Sequence, residues 1–215
     1  MTPTAAVFWL GCVVSPGYLA ITNRPESLAR SVIKTLPLAL FALASYLAEA
    51  PAFLTLALVF SALGDLALSR EGRAAFLYGL SAFAIAHLMF IVLFQSLGGV
   101  QLWESFVAAP LYAAILVAAA LSTEVWLAPY TGALKWPVRG YVTLITAMGL
   151  AALALPAGYG WVAVGAALFI LSDMVLSVRL FRLPEGDARR VPAALALWVL
   201  YIAGQALIVL GIATL

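Results

Sequence analysis

The chain has 215 residues, of which 66% are hydrophobic and only 9% are charged, with a mean hydropathy of +1.12 and a formal net charge of +2. Soluble domains carry about 25% charged residues, so this composition excludes a water-soluble globular protein and predicts an integral membrane protein. One cysteine, Cys12, and one histidine, His87, exclude an internal disulfide and a zinc site built on three histidines. No metal, organic cofactor or nucleic-acid partner is expected.

Eight apolar runs are long enough to cross a bilayer, because a transmembrane helix needs about 20 mostly apolar residues. The predicted fold is an all-α polytopic membrane helix bundle forming one domain over residues 1–215. Its eight transmembrane helices are predicted at about 5–21, 32–49, 51–70, 74–97, 105–122, 138–155, 158–180 and 191–213. Ser15-Pro16-Gly17 interrupts the first run, which leaves seven spans as the alternative. No basic residue precedes that run, so it is expected to be a permanent span and not a cleaved signal.

All basic residues fall at or near the odd-numbered connections between these spans. They are Arg24, Arg30 and Lys34 in the first, Arg70 and Arg73 in the third, Lys135 and Arg139 in the fifth, and Arg179, Arg182, Arg189 and Arg190 in the seventh. Cytoplasmic connections of membrane proteins are enriched in Lys and Arg. The pattern therefore predicts that the odd connections are cytoplasmic and that both termini lie outside.

Two aspartates lie inside apolar runs in similar settings, Gly64-Asp65-Leu-Ala-Leu68-Ser69 in span three and Ser172-Asp173-Met-Val-Leu176-Ser177 in span seven. A carboxylate near the middle of a bilayer costs roughly 2.5–3.5 kcal/mol on insertion scales, so such residues usually have a function. The matched surroundings predict a paired-carboxylate site.

Another motif recurs at the same offset of four spans. In span four Phe83 precedes His87 by one helical turn, and in span eight Tyr201 precedes Gln205 in the same way. Membrane folds are often built from internal repeats. These matches predict a parallel four-plus-four repeat.

The polar residues of the spans are expected in the cytoplasmic half of the bundle, where a pocket would open to the inner leaflet. They are Lys34, Asp65, His87, Tyr141, Ser172, Asp173, Tyr201 and Gln205. Structural roles are the alternative. An ion pair with Lys34 or Arg139 could neutralise the aspartates, and the other side chains could form hydrogen bonds between helices.

Two carboxyl groups in a low-dielectric pocket do not both ionise readily, so one is expected to be a neutral acid beside an anionic partner. This pairing suits acid-catalysed hydrolysis through an oxocarbenium-like species, and it suits proton-coupled transport of a small solute equally well. A non-catalytic lipid-binding protein is a third possibility. A transporter needs polar residues in both halves of the membrane, and the outer half is nearly bare, which favours an enzyme.

The motifs, in their order, resemble the lysoplasmalogenase family of YhhN-like proteins, which are small eight-span membrane proteins. The resemblance covers about residues 30 to 213 and is carried by Lys34…Pro37, Gly64-Asp65, Ala86-His87, Tyr141…Met148, Gly165-Ala…Phe169…Ser172-Asp173 and Tyr201…Gln205. It implies hydrolysis of the vinyl ether bond of lysoplasmalogens to a fatty aldehyde and glycerophosphocholine or glycerophosphoethanolamine. The implied partner is thus a lysophospholipid in the membrane, with no cofactor.

On this resemblance, Asp65 and Asp173 are the expected catalytic pair. One protonates the vinyl carbon and the other stabilises the cation and activates water, with Asp173 expected to be the acid because it is the more deeply placed. Lys34 is expected at the rim, where it would hold the lipid phosphate. The remaining expected substrate-orienting residues are His87, Tyr141, Ser172, Tyr201 and Gln205. The expected location is a bacterial inner membrane, with the site toward the cytoplasmic leaflet.

Overall fold

A computed structural model describes residues 2–215, and every regular element in that range is helical. The α-helices are α1 (Pro3–Val14), α2 (Leu28–Leu47), α3 (Ala52–Leu68), α4 (Arg73–Gly98), α5 (Ser105–Ala108), α6 (Pro110–Trp126), α7 (Lys135–Leu153), α8 (Gly160–Phe181) and α9 (Arg190–Ile212). A short 3₁₀ turn follows α1, and others lie in the connections before α5, α7 and α8. The predicted all-α class is confirmed.

Five helices, α2, α4, α6, α8 and α9, are long and apolar enough to cross a membrane. Helix α3 is apolar but has 17 residues. Helix α1 has 12 residues and passes into a 3₁₀ turn at the predicted interruption around Pro16. Each of the eight predicted runs contains a helix, whereas the count of eight membrane crossings and the outside termini stay predictions.

The fifth predicted run differs most from the structure. A single span was expected over 105–122, but the four-residue α5 ends before Ala109 and α6 runs from Pro110 to Trp126. Ala109 has φ −146° and ψ 62°, outside the helical region. A residue that precedes proline is disfavoured in helical conformation, and proline is well suited to the first helical position. The chain therefore starts a new helix at Pro110.

Six helices, α2, α3, α4, α7, α8 and α9, pack side by side in a closed ring, with α1 against α2 and α6 against α7. When the four-residue α5 is left out of the count, the same contacts between neighbouring helices recur four helices later along the chain. The contact of α2 with α3 matches that of α7 with α8, and α3 with α4 matches α8 with α9. The closing contacts, α4 with α7 and α9 with α2, also match. This is the packing that the predicted four-plus-four repeat would give.

Helices α8 and α9 approach each other closely through two glycines. A Cβ atom built at Gly165 would lie 2.6 Å from the carbonyl oxygen of Gly204, and one built at Gly204 would lie 2.7 Å from that of Gly165. Small residues allow membrane helices to pack backbone against backbone in this way. Gly165 and Gly204 therefore form the close-packing point between α8 and α9.

Candidate functional site

The first aspartate is held by two partners inside the bundle. The Lys34 Nζ atom of α2 lies 3.6 Å from Asp65 Oδ1, and the Tyr201 hydroxyl of α9 donates a 2.8 Å hydrogen bond to Asp65 Oδ2. The Asp65 side chain is only 3% exposed. Both of its carboxyl oxygens are therefore occupied, one by a cation and one by a hydroxyl.

The second aspartate belongs to a hydrogen-bonded chain of three side chains. The Tyr141 hydroxyl of α7 donates to Asp173 Oδ2 on α8, and the same hydroxyl lies 2.9 Å from His87 Nε2 of α4. His87 is completely buried and its Nε2 is 3.7 Å from Asp173 Oδ2. Within residues 2–215, Asp173 Oδ1 accepts no hydrogen bond, so one oxygen of this carboxyl group is available to a ligand.

The origin of these partners follows the four-helix offset. Asp65 on α3 takes Lys34 from the preceding helix and Tyr201 from the last helix of the other half of the chain. Asp173 on α8 takes Tyr141 from the preceding helix and His87 from the last helix of the first half. Each cluster is thus built from both halves.

An aromatic wall, formed by the rings of Phe83 and Phe169, separates the two clusters. The Phe169 ring lies 4.8 Å from the His87 ring and 5.4 Å from the Tyr201 ring, measured between centroids. Phe83 packs edge-on against both Phe169 and Tyr201. It also lies over Gly64, where a Cβ atom would come within 2.6 Å of its ring. Glycine beside Asp65 therefore allows this wall to pack directly on α3.

A cavity of about 760 Å³ opens between the clusters and one end of the bundle. Lys34, Asp65, Asp173 and Tyr201 line its interior. Its mouth is formed by the start of α2, the α3–α4 connection and the α8–α9 region, and it carries five arginines: Arg30, Arg70, Arg73, Arg179 and Arg190. The volume is within the roughly 300–1,000 Å³ typical of small-molecule pockets.

Two apolar grooves meet this cavity at Asp173. One lies between α6, α7 and α8 and is lined by residues such as Leu116, Ile145 and Ile170. The other lies between α3, α4, α7 and α8, where Phe76 and Leu80 contribute. Asp173 lines both grooves as well as the polar cavity, whereas Asp65 lines the polar cavity alone. Asp173 therefore stands at the boundary between polar and apolar space.

The YhhN family model matches residues 29–212, which include every residue of both clusters. The chain belongs to the YhhN family. It is 34% identical over 163 residues to the lysoplasmalogenases of Mycobacterium bovis and Mycobacterium tuberculosis, a match that covers 72% of this chain and 58% of each relative. The match thus spans little more than half the length of these relatives. No solved structure matches the chain.

Membership of the YhhN family and the apolar helices together identify an integral membrane protein. Of the residues expected at its site, five line the cavity: Lys34, Asp65, Ser172, Asp173 and Tyr201. The Ser172 hydroxyl donates to the Phe169 carbonyl oxygen on its own helix. His87 and Tyr141 do not line this cavity, but the Tyr141 hydroxyl connects both of them to Asp173, which does. Gln205 lies apart, since its Nε2 donates to Ser61 Oγ at 3.2 Å.

Three details of the expected YhhN site are corrected by the structure. Asp173 is not the more buried carboxylate, because its side chain is 15% exposed against 3% for Asp65. Lys34 is not at the rim, because α2 begins at Leu28 and Lys34 is buried two turns inside it. Arg139 neutralises neither aspartate, because it forms a two-point ion pair with exposed Glu124.

Sequence reasoning missed the part played by Arg70 and Arg179 in the cavity mouth. It used these residues only to assign sidedness. The spacing held a further signal, since Arg70 follows Asp65 by five residues and Arg179 follows Asp173 by six. At 1.5 Å per residue, each arginine lies within about 10 Å of its aspartate along the helix axis.

Proposed function

We propose that this protein is a membrane hydrolase that cleaves the vinyl ether bond of lysoplasmalogens, releasing a fatty aldehyde and a glycerophospho-head group. The mycobacterial relatives that it resembles are named lysoplasmalogenases. The observation that carries the proposal is the position of Asp173, where a polar cavity meets two apolar grooves. A lysoplasmalogen has its vinyl ether bond at the same boundary between head group and chain.

In the proposed reaction Asp173 is the general acid. Its Oδ1 has no hydrogen-bond partner within residues 2–215, so it can donate a proton to the vinyl carbon β to the ether oxygen. Protonation converts the vinyl ether to an oxocarbenium ion, with positive charge shared by the ether oxygen and its neighbouring carbon. Tyr141 holds the other oxygen of Asp173, and His87 holds Tyr141. These contacts fix the direction of the carboxyl group.

Asp65 supplies the negative charge that the cation needs. Lys34 and Tyr201 occupy both of its oxygens, which leaves Asp65 poorly placed to donate a proton to the substrate. A fixed carboxylate stabilises an oxocarbenium ion through space. Water then adds to the cation and gives up a proton to the Asp173 carboxylate, which restores the acid. The hemiacetal collapses to aldehyde and a free glycerol hydroxyl.

The proposed location is a bacterial inner membrane, with eight spans, both termini outside and the cavity facing the cytoplasm. The connections near the cavity mouth are those that contain the basic residues. Enrichment of Lys and Arg favours the cytoplasmic side for that end of the bundle.

The test is hydrolysis by purified protein in detergent, with alkenyl- and acyl-lysophosphatidylethanolamine as parallel substrates. We expect aldehyde from the alkenyl lipid and no fatty acid from the acyl lipid. Asp173→Asn should lower aldehyde release by about 10²–10⁴-fold, because general acid catalysis contributes that much. Asp65→Asn should also lower it.

The matched control is Asp187→Asn, in the turn between α8 and α9. There a hydrogen bond from the Arg189 side chain lowers the pKa of Asp187 to about 2, so this carboxylate is ionised in any assay buffer. We expect Asp187→Asn to retain wild-type activity. Full activity of Asp173→Asn would disprove the role of Asp173 as the general acid. A wild-type protein that binds lysolipid without releasing aldehyde would favour a lipid-binding role.

A further inference from the structure

The cavity mouth concentrates positive charge. Five arginines line it, from the start of α2 (Arg30), the α3–α4 connection (Arg70 and Arg73), the end of α8 (Arg179) and the start of α9 (Arg190). Two exposed glutamates, Glu71 and Glu185, are the acidic residues of the same mouth. The rim therefore carries a net charge of about +3 when all seven groups are ionised.

None of these arginines forms an ion pair within residues 2–215, where the carboxylate partners of arginine are those of Arg139 and Arg189. Arg179 and Arg190 are half-buried and face each other, with Arg179 Nε 3.4 Å from the Arg190 carbonyl oxygen and Arg190 Nη1 3.1 Å from that of Arg179. A third half-buried residue, Arg30, has a buried Nε atom with no hydrogen-bond partner. Like charges are thus held together at this mouth without a neutralising anion.

We propose that this arginine cluster binds the phosphate group of the lipid, which refines the proposed function and rests on it. Guanidinium groups bind phosphate oxygens by paired, charge-assisted hydrogen bonds. The cluster and Asp173 lie in the same cavity, so a lipid whose phosphate is held at the mouth extends its glycerol inward and its chain into an apolar groove. Glu71 and Glu185 at the rim are positioned to meet the ammonium group of a choline or ethanolamine head group.

This assignment differs from the sequence-based expectation that Lys34 holds the phosphate. The Lys34 ammonium is committed to Asp65, and both groups are buried. Arg70 and Arg73 are exposed and have no side-chain hydrogen bonds within residues 2–215. They are therefore free to bind an anion that enters from water.

The test is equilibrium binding of two radiolabelled lipids to purified protein, palmitoyl-lysophosphatidylcholine and monopalmitoylglycerol, which lacks the phosphate. The double variant Arg70→Gln/Arg73→Gln should bind the lysophospholipid about tenfold more weakly and the monoacylglycerol within twofold of wild type. Arg24→Gln is the matched control, because Arg24 is exposed near the same end of the bundle but does not line the cavity. Arg179→Gln is the second variant if the double variant has a lowered Tm.

Equal loss of both lipids, or no loss of the lysophospholipid, would overturn the phosphate site. Inorganic phosphate and glycerophosphocholine are also tested as competitors of the labelled lysophospholipid. Competition shows that a free anion can occupy the arginine cluster, and lack of competition shows that only the complete lipid does. In both cases binding of the lysophospholipid still requires the arginines. Because the palmitoyl lipid contains no vinyl ether, the measurement does not depend on hydrolysis. Arginine-dependent binding without aldehyde release would therefore leave this site standing while the proposed hydrolase failed.

Discussion

At the scale of single residues, the Lys34–Asp65 pair is an ion pair buried in an apolar bundle. Removing two charges from water is costly, and their attraction offsets that cost only when both are present. Tyr201 adds a hydrogen bond to the same carboxylate. Each partner is thus stabilised in the bundle by the other, and the pair can serve both the fold and the reaction.

Substitution of the pair separates these roles. Lys34→Met leaves a buried carboxylate without its cation, and we expect the free energy of unfolding to fall by about 3–5 kcal/mol. The double variant Lys34→Met/Asp65→Asn removes both charges and should recover most of that loss without recovering aldehyde release. Thermal unfolding in detergent and the hydrolysis assay measure the two effects. Recovery of activity in the double variant would mean that Asp65 is purely structural.

Some of the site could be predicted from sequence because a carboxylate in an apolar run is conspicuous by itself. Asp65 and Asp173 were found in this way, and so was Lys34 as a possible counter-ion. Their relative exposure could not be predicted, because it depends on cavities enclosed by side chains from four or more helices. Proximity along the chain also gave no indication that Tyr141 bridges His87 and Asp173.

At the scale of elements, the α8–α9 contact fixes Asp173 and Tyr201 relative to each other. Gly165 and Gly204 bring the two backbones together between these side chains and the far ends of the helices. Separation of α8 from α9 would move the two clusters apart, since Asp173 lies on one helix and Tyr201 on the other.

Gly204→Ala should therefore disturb both the fold and the site. The new Cβ atom would lie 2.7 Å from the Gly165 carbonyl oxygen, which is too close unless the helices separate. We expect a loss of about 1–3 kcal/mol in the free energy of unfolding. The control is Gly140→Ala in α7, where the new atom would meet nothing within 4 Å and alanine is the better helix former. Equal stability of the two variants would contradict the close-packing role.

At the scale of the whole molecule, the approximate positions of the helices along the chain follow from the sequence more directly than the exact helix ends do. Hydropathy predicted a helix in each of the eight apolar runs because each run is longer than a typical soluble helix. The break at Ala109 was missed, although Pro110 was visible, since proline at a helix start and proline inside a span give similar hydropathy. The ring of six helices was not predictable, because α4–α7 packing joins segments far apart in sequence.

Cysteine labelling tests the predicted sidedness. In a Cys12→Ala background, single cysteines replace Gln101 and Gly158 in two even connections and Ala133 and Glu185 in two odd ones. With a membrane-impermeant maleimide on intact spheroplasts, we expect labelling at 101 and 158 only, and at 133 and 185 after permeabilisation. The reverse pattern would place the arginine mouth outside the cell and contradict the predicted topology.

The position of Asp173 between a polar cavity and two apolar grooves has a consequence for product release. A fatty aldehyde partitions into oil, while a glycerophospho-head group partitions into water. If cleavage occurs at Asp173, the head group already lies in the polar cavity and the aldehyde in an apolar groove. The two products can then leave by different routes. Turnover then needs no moving lid to separate them, and neither fragment obstructs the exit of the other.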